Sequence, residues 1–206
     1  MPPTNLNILV PIEDPSNDKT IVELASRIAS PLRGELHLIH VAQHNYDKRH
    51  TILQNLSNLA KSAALSDVST SVHVENGEDV VTEIQGRIQE LSCNMIFMAW
   101  RAEINSISIL ASNNRSLTKD LNIDTLIFKE RNLRKVKRIL VPTGGGPHSI
   151  LGIQIASDLA ENWGAEIEIL RIARDLNGDP NDPIHKRYCE QLLEDTKVQL
   201  DLLKIS

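Results

Sequence analysis

Aromatic side chains are scarce in this chain, at 3% of 206 residues. The core must therefore be built from Ile, Leu, Val and Ala, a supply that suits a parallel sheet covered by helices. Cysteine occurs only at Cys93 and Cys189, far apart and in no Cys-x-x-Cys pair. These read as incidental thiols of a reducing compartment, and a disulfide framework is not expected. No apolar run approaches the roughly 18 residues that cross a bilayer, and Met95–Trp100 is among the longest. The opening Met1-Pro2-Pro3-Thr4-Asn5 has neither a basic region nor an apolar one, so no secretory signal is expected and the location should be cytoplasmic. A net charge of −5 gives no general attraction to nucleic acid.

What is present is repetition. Ile8-Leu9-Val10-Pro11 returns as Ile139-Leu140-Val141-Pro142. At the same offset of 131, Ala25-Ser26 matches Ala156-Ser157, Ala29 matches Ala160, Glu35 matches Glu166 and Ala42 matches Ala173. Apolar character is kept between the identities, as in Leu36 against Ile167 and Leu38 against Ile169. An ungapped repeat of this length makes the chain a tandem of one α/β unit.

Periodicity predicts strands near 7–11, 35–41, 71–74, 95–99 and 125–129 in the first half. Helices are expected after Ser16 or Asn17, either of which could cap the first, and near 48–65, 79–91 and 111–121. The alternation implies parallel pairing through right-handed crossovers. The second half predicts a strand at 138–141, a helix over 149–163, a strand at 166–172 and a last helix from Pro183, capped by Asp182. It then lacks counterparts of the third, fourth and fifth strands. Two strands give little sheet to cover, so this half is expected to lean on the first half or on another chain. Ile184, Tyr188, Leu192, Thr196, Leu200 and Leu203 form one stripe along the last helix, a core face or a dimer contact.

Asn-Ile-Leu-Val-Pro-Ile-Glu at 7–13, a helix ending before Gly34, Leu36-His37-Leu38-Ile39-His40-Val41, and Met95–Trp100 together resemble the universal stress protein family. The resemblance spans nearly all of residues 6–130 and the first two strands and helices of 137–206. It implies an α/β fold, a doubly wound parallel five-stranded sheet in the order 3-2-1-4-5. A complete domain at 1–130, a basic linker at 131–136 and a truncated second copy at 137–206 follow from it. It also implies dimerisation, and tandem relatives are often fused to membrane transporters, so a homodimer and a transporter partner are the expected assemblies.

Many members of that family bind ATP at the carboxyl ends of the central strands, the location expected for any open α/β sheet. The corresponding residues here are Pro11, Ile12 and Glu13 after the first strand, with Glu13 where the family usually has Asp, and Val41 at the end of the second. Their second-half equivalents are Pro142, Thr143 and Ile172. The phosphate part departs from the family. ATP-binding relatives carry a Gly-x2-Gly-x9-Gly-Ser/Thr pattern after the fourth strand, because only Gly lets backbone N–H groups approach phosphate closely. Here the stretch is Trp100-Arg101-Ala102-Glu103-Ile104-Asn105-Ser106, and no Gly occurs between Gly86 and Gly144. Arg101 and Arg115 could supply counter-charge; the cradle is gone.

One glycine-rich loop survives at Gly144-Gly145-Gly146, joining a strand to a helix. It reads as a tight connection or as an anion nest, without the Lys and spacing of a P-loop. His37, His40 and His44 do not form a metal cluster, since His37 and His40 lie on opposite strand faces. Asp175 to Asn181 alternates oxygen ligands, but Pro180 and Lys186 stand where a calcium loop needs Gly and Glu. Basic residues crowd 129–138, a solvated linker or a contact for an anionic surface. No nucleophile beside a base, no carboxylate pair and no metal quartet is legible. The expectation is a non-enzymatic regulatory and dimerisation module with weak or lost adenine-nucleotide binding, and no certain cofactor. The alternatives are an ATP-binding or ATP-hydrolysing protein using Gly144–Gly146, or a scaffold indifferent to nucleotide.

Overall fold

The computed structural model describes residues 6–43, 48–65, 67–100, 123–131, 133, 135–144, 147–171 and 182–202. The chain separates into two compact units, Met1–Leu133 and Arg134–Ser206.

The first unit contains β1 (Asn7–Pro11), α1 (Lys19–Ala29), β2 (Glu35–Ala42), α2 (Arg49–Ala63), β3 (Ser69–Asn76), α3 (Val80–Glu90), β4 (Met95–Ala99) and β5 (Asp124–Phe128). Its strands form one five-stranded sheet in the order β3-β2-β1-β4-β5, with parallel pairing throughout. The expected α/β architecture and strand order are therefore present. Each central strand is apolar on both faces because helices cover both. Leu9, Ile39, Ile96 and Met98 face Val80, Ile84 and Ile88 of α3. The alternate residues Ile8, Leu36, Leu38 and Met95 are equally buried on the opposite face, where α1 and α2 contribute Ile21, Leu24, Ile28 and Leu56.

α1 ends in a short 3-10 turn, Ser30–Leu32, and Arg33 takes a left-handed φ of 49°. Gly34 follows with no side chain for a reason of space. A Cβ there would strike the backbone carbonyl of Leu6, whose oxygen already accepts the Glu35 N–H.

Two local expectations change. The cap of α1 is at Asp18 rather than Ser16 or Asn17, and its carboxylate turns away from the helix to the backbone N–H groups of Glu13 and Asp14. Strand β3 is longer than its apolar segment, since eight consecutive residues, Ser69 to Asn76, pair with β2. At a sheet edge, polar residues such as Ser69, Thr70 and Glu75 keep water on one side, so composition understated its length. The expected helix at 111–121 lies outside the described residues.

The second unit contains β6 (Arg138–Thr143), α4 (Pro147–Trp163), β7 (Glu166–Arg171) and α5 (Pro183–Leu202). β6 and β7 form a parallel pair in which Arg138 faces Glu166 and Ile139 faces Ile167, repeating the register of Asn7 on Glu35 and Ile8 on Leu36. Its core holds Val141, Ile153 and Ala156, with Ile139, Ile167, Ile169 and Leu200 packed around them. Alternate strand residues stay open: Leu140 is 56% exposed and Leu170 is 46% exposed. Asp182 caps α5 by accepting the Ile184 N–H at 2.9 Å. Along the stripe of α5, Thr196 is buried and Leu200 joins the core, whereas Ile184 is exposed; Leu203 lies outside the described residues.

Candidate functional site

β2 runs three residues beyond Ile39, the partner of the last residue of β1. A small cleft of about 70 Å³, open to solvent, lies beside this overhang. Pro11, Ile12 and Glu13 form one wall, Ile39, His40, Val41 and Gln43 the second, and Val80 and Ile84 of α3 the floor. Four expected residues, Pro11, Ile12, Glu13 and Val41, thus share one cleft.

The walls are held by hydrogen bonds. The Ile12 N–H donates to the Ile39 carbonyl at 2.8 Å. His40 Nδ1 lies 2.8 Å from the Ile12 carbonyl, which can only accept, so Nδ1 carries the proton and Nε2 is an acceptor in the neutral ring. Gln43 Nε2 donates to the Glu78 carbonyl at 2.8 Å and ties the end of β2 to the start of α3. His40, Gln43, Val80 and Ile84 were not anticipated as site residues. Val80 and Ile84 have ordinary core spacing, and spacing cannot distinguish a buried helix turn from one at a cleft.

The turn after β1 is closed on itself. Asp18 is 3% exposed, and its Oδ2 accepts from the N–H groups of Glu13 and Asp14, each at 3.1 Å. Asp14 Oδ1 accepts from the Ser16 N–H at 2.9 Å, and the Asp14 carbonyl accepts from Asn17 and Asp18 at 3.0 Å and 3.1 Å. Pro15 has no N–H, so every backbone donor from Glu13 to Asp18 is engaged within the turn. α3 is closed in a similar way. Asp79 accepts from the Val81 N–H at 3.0 Å and from the Thr82 hydroxyl at 2.6 Å. These bonds, led by the one from Thr82, hold the Asp79 carboxyl below its ordinary range.

The second-half candidates belong to the other unit. Pro142 and Thr143 end β6, with Thr143 buried, and Gly144 follows exposed. Gly145, Gly146 and Ile172 lie outside the described residues, as do Arg101 to Ser106, Arg115, His44 and the loop 175–181.

A second polar group was not legible in the sequence. Ser71 on β3 stands between two histidines, its Oγ 2.7 Å from His37 Nδ1 and 2.9 Å from His73 Nε2. The nucleophile-beside-a-base arrangement that the sequence did not reveal is therefore present in outline. His37 lies 3.8 Å from Glu35, and Arg87 of α3 pairs with Glu75 and Glu90 next to His73. Ser71 is absent from the walls of the cleft, and His37 is 7% exposed. The chain of hydrogen bonds ties β2 to the edge strand. Burial lowers the pKa of His37, with the charge of His73 next, against Glu35. Burial also lowers that of His73, with Arg87 next, against Glu75 and Glu90. Burial and then Glu35 push the Cys93 thiol up to about 11, so it remains an unreactive thiol. Among the described residues no three His, Cys, Asp or Glu are placed to hold a metal ion, and no helix is long and apolar enough to cross a membrane.

No protein-family model matches the sequence, and no curated protein matches it. Solved structures do. A functionally unknown protein from Pseudomonas aeruginosa PAO1 is similar at a TM-score of 0.66 and 17% identity, covering 97% of this chain and 70% of its own. A protein assigned to the universal stress proteins, from Pseudomonas aeruginosa UCBPP-PA14, is similar at a TM-score of 0.65 and 15% identity, covering 98% of this chain and 71% of its own. The fold is that of a universal stress protein. At these identities the likeness speaks to architecture alone. Within the universal stress protein sheet, the cleft lies at the carboxyl ends of β1 and β2, the edge where open α/β sheets take ligands.

Proposed function

We propose that this chain is a non-enzymatic regulatory module that holds an adenine nucleoside, or an adenine nucleotide weakly, in the cleft between β1, β2 and α3. The observation that carries this reading is the convergence of Pro11, Ile12, Glu13 and Val41 on one cleft whose floor is the apolar pair Val80 and Ile84. An apolar slot with a few polar groups suits a flat base. His40 and Glu13 are the polar side chains beside Gln43 in its lining. The repeated register of β6 on β7 supports reading residues 137–206 as a shortened second copy. The open strand face at Leu140 and Leu170 supports assembly as a homodimer. Attachment to a membrane transporter, with the basic residues at 129–138 toward an anionic surface, is the wider setting of this proposal.

Titrating adenosine into isotopically labelled protein tests the site. Amide signals of Ile12, Val41 and Val80 should move together and saturate. A spectrum unchanged at millimolar adenosine would overturn the reading.

A further inference from the structure

We infer that Ser71 joins His37 and His73 into one proton switch on the edge strand. His73 takes up the first proton with the tie between β3 and β2 intact, and His37 takes up the second and breaks it.

A serine hydroxyl has one hydrogen, yet Ser71 Oγ lies 2.7 Å from His37 Nδ1 and 2.9 Å from His73 Nε2. For both contacts to be hydrogen bonds, at least one ring must donate to the oxygen. Two orders satisfy that count: His37 donates to Ser71 and Ser71 to His73, or the reverse. Glu35 decides between them. His37 Nε2 is buried, has no hydrogen-bond partner among the described residues, and lies 3.8 Å from Glu35 Oε2. A bare lone pair beside a carboxylate is repelled, whereas an N–H is attracted. His37 therefore carries its proton on Nε2 and accepts the Ser71 hydroxyl at Nδ1, while Ser71 accepts from the Nε2–H of His73.

That order makes the two rings unequal. Nδ1 of His73 stands outside the chain, so a proton added there leaves both hydrogen bonds as they were. His37 has only Nδ1 left to protonate, and that atom is an acceptor in the chain. Protonating it turns the hydroxyl away from its acceptor and sets two cationic rings 5.8 Å apart between centroids. The surrounding charges divide in the same sense. Near His73, Glu75 and Glu90 favour the cation, against Arg87 of α3, which pairs with both carboxylates. Near His37 the favouring carboxylate is that of Glu35, which is exposed to screening water, and the His73 ring opposes it. Cys93, which follows α3 and feels the Glu35 charge, stays a neutral thiol, and α2 covers the other face of the sheet. β3 is the last strand on its side of the sheet, where local opening is easiest, so a broken tie acts there first.

Ring-nitrogen chemical shifts of the full chain, labelled at histidine and assigned with His73→Gln, test the order. At mildly alkaline pH both rings should carry the proton on Nε2. On acidification His73 should titrate first and His37 second. Protection of the β3 amides against hydrogen exchange should hold through the first step. Through the second it should fall by about tenfold per pH unit, the slope of one coupled proton, while Ile8 and Leu9 of β1 stay protected. Ser71→Ala should lower β3 protection already at mildly alkaline pH and abolish the second fall, with a retained melting transition as proof of folding. A His37 proton on Nδ1, or His37 titrating before His73, would overturn the switch. So would β3 protection that falls equally in Ser71→Ala.

Discussion

At the scale of single residues, two positions show how much of this structure depends on backbone groups that side chains cannot replace. Gly34 approaches the backbone so closely that any Cβ meets the Leu6 carbonyl. Backbone cannot move aside as a side-chain tip can, so Gly34→Ala should lower stability by about 1–3 kcal/mol, read as a reduced urea midpoint. An unchanged midpoint would mean that the turn relaxes freely. Asp18 is the second position. Its carboxylate serves two N–H groups in a buried turn, and Asp18→Ala should cost about 1–3 kcal/mol for the donors left without a partner. The same variant opens the rim, so amide exchange at Glu13 and Asp14 should accelerate more than at Ile8 or Leu9. The sequence showed a cluster of polar residues at 13–18 and placed the cap at Ser16 or Asn17. It could not show that Asp18 bonds backward, because that choice is made by the path of the turn and not by residue type.

At the scale of elements, β2 and the edge strand β3 are joined by backbone pairing and by the His37–Ser71–His73 chain. Both imidazoles have pKa values lowered from 6.5 by burial. The unfolded chain therefore binds protons more readily than the fold. The stabilisation they give is present above 6.5 and is lost as pH falls through 6.5 toward the lower folded values. Urea midpoints should drop between pH 7.5 and pH 5.5, and His73→Gln should make that drop shallower. An equal drop in the variant would remove His73 from the balance. Alternation along β2 and β3 was legible from sequence. The meeting of residues 37, 71 and 73 was not, since it depends on which strands pair and in what register.

At the scale of the whole chain, the two units differ in how much they bury. Five strands with helices on both faces give the first unit eight residues in one cluster alone, while the second centres on Val141, Ile153 and Ala156. Residues 1–133 expressed alone should unfold cooperatively in urea. Residues 134–206 expressed alone should show a shallow transition and concentration-dependent sedimentation, because a parallel pair open on one face has too little core to offset chain entropy. A steep transition from a monomeric 134–206 fragment would refute this. Leu9 and Leu140 occupy equivalent positions of the repeat, yet Leu9 is 0% exposed and Leu140 is 56% exposed. Identical residues thus have opposite surroundings, which no reading of the repeat by itself could have separated.

The sequence alone determined the α/β class, the parallel order of the first sheet and the four wall residues Pro11, Ile12, Glu13 and Val41. The class and the parallel pairing follow from the local apolar pattern, whereas the strand order and the wall residues follow from the resemblance of residues 7–13, 36–41 and 95–100 to the universal stress protein family. Tertiary structure decided the floor of the cleft, the inward closure of the turn at Asp18 and the seating of Ser71 between His37 and His73. Each of those requires groups distant in sequence, or a particular backbone path, to arrive at one place, and such meetings are fixed by strand register and helix packing.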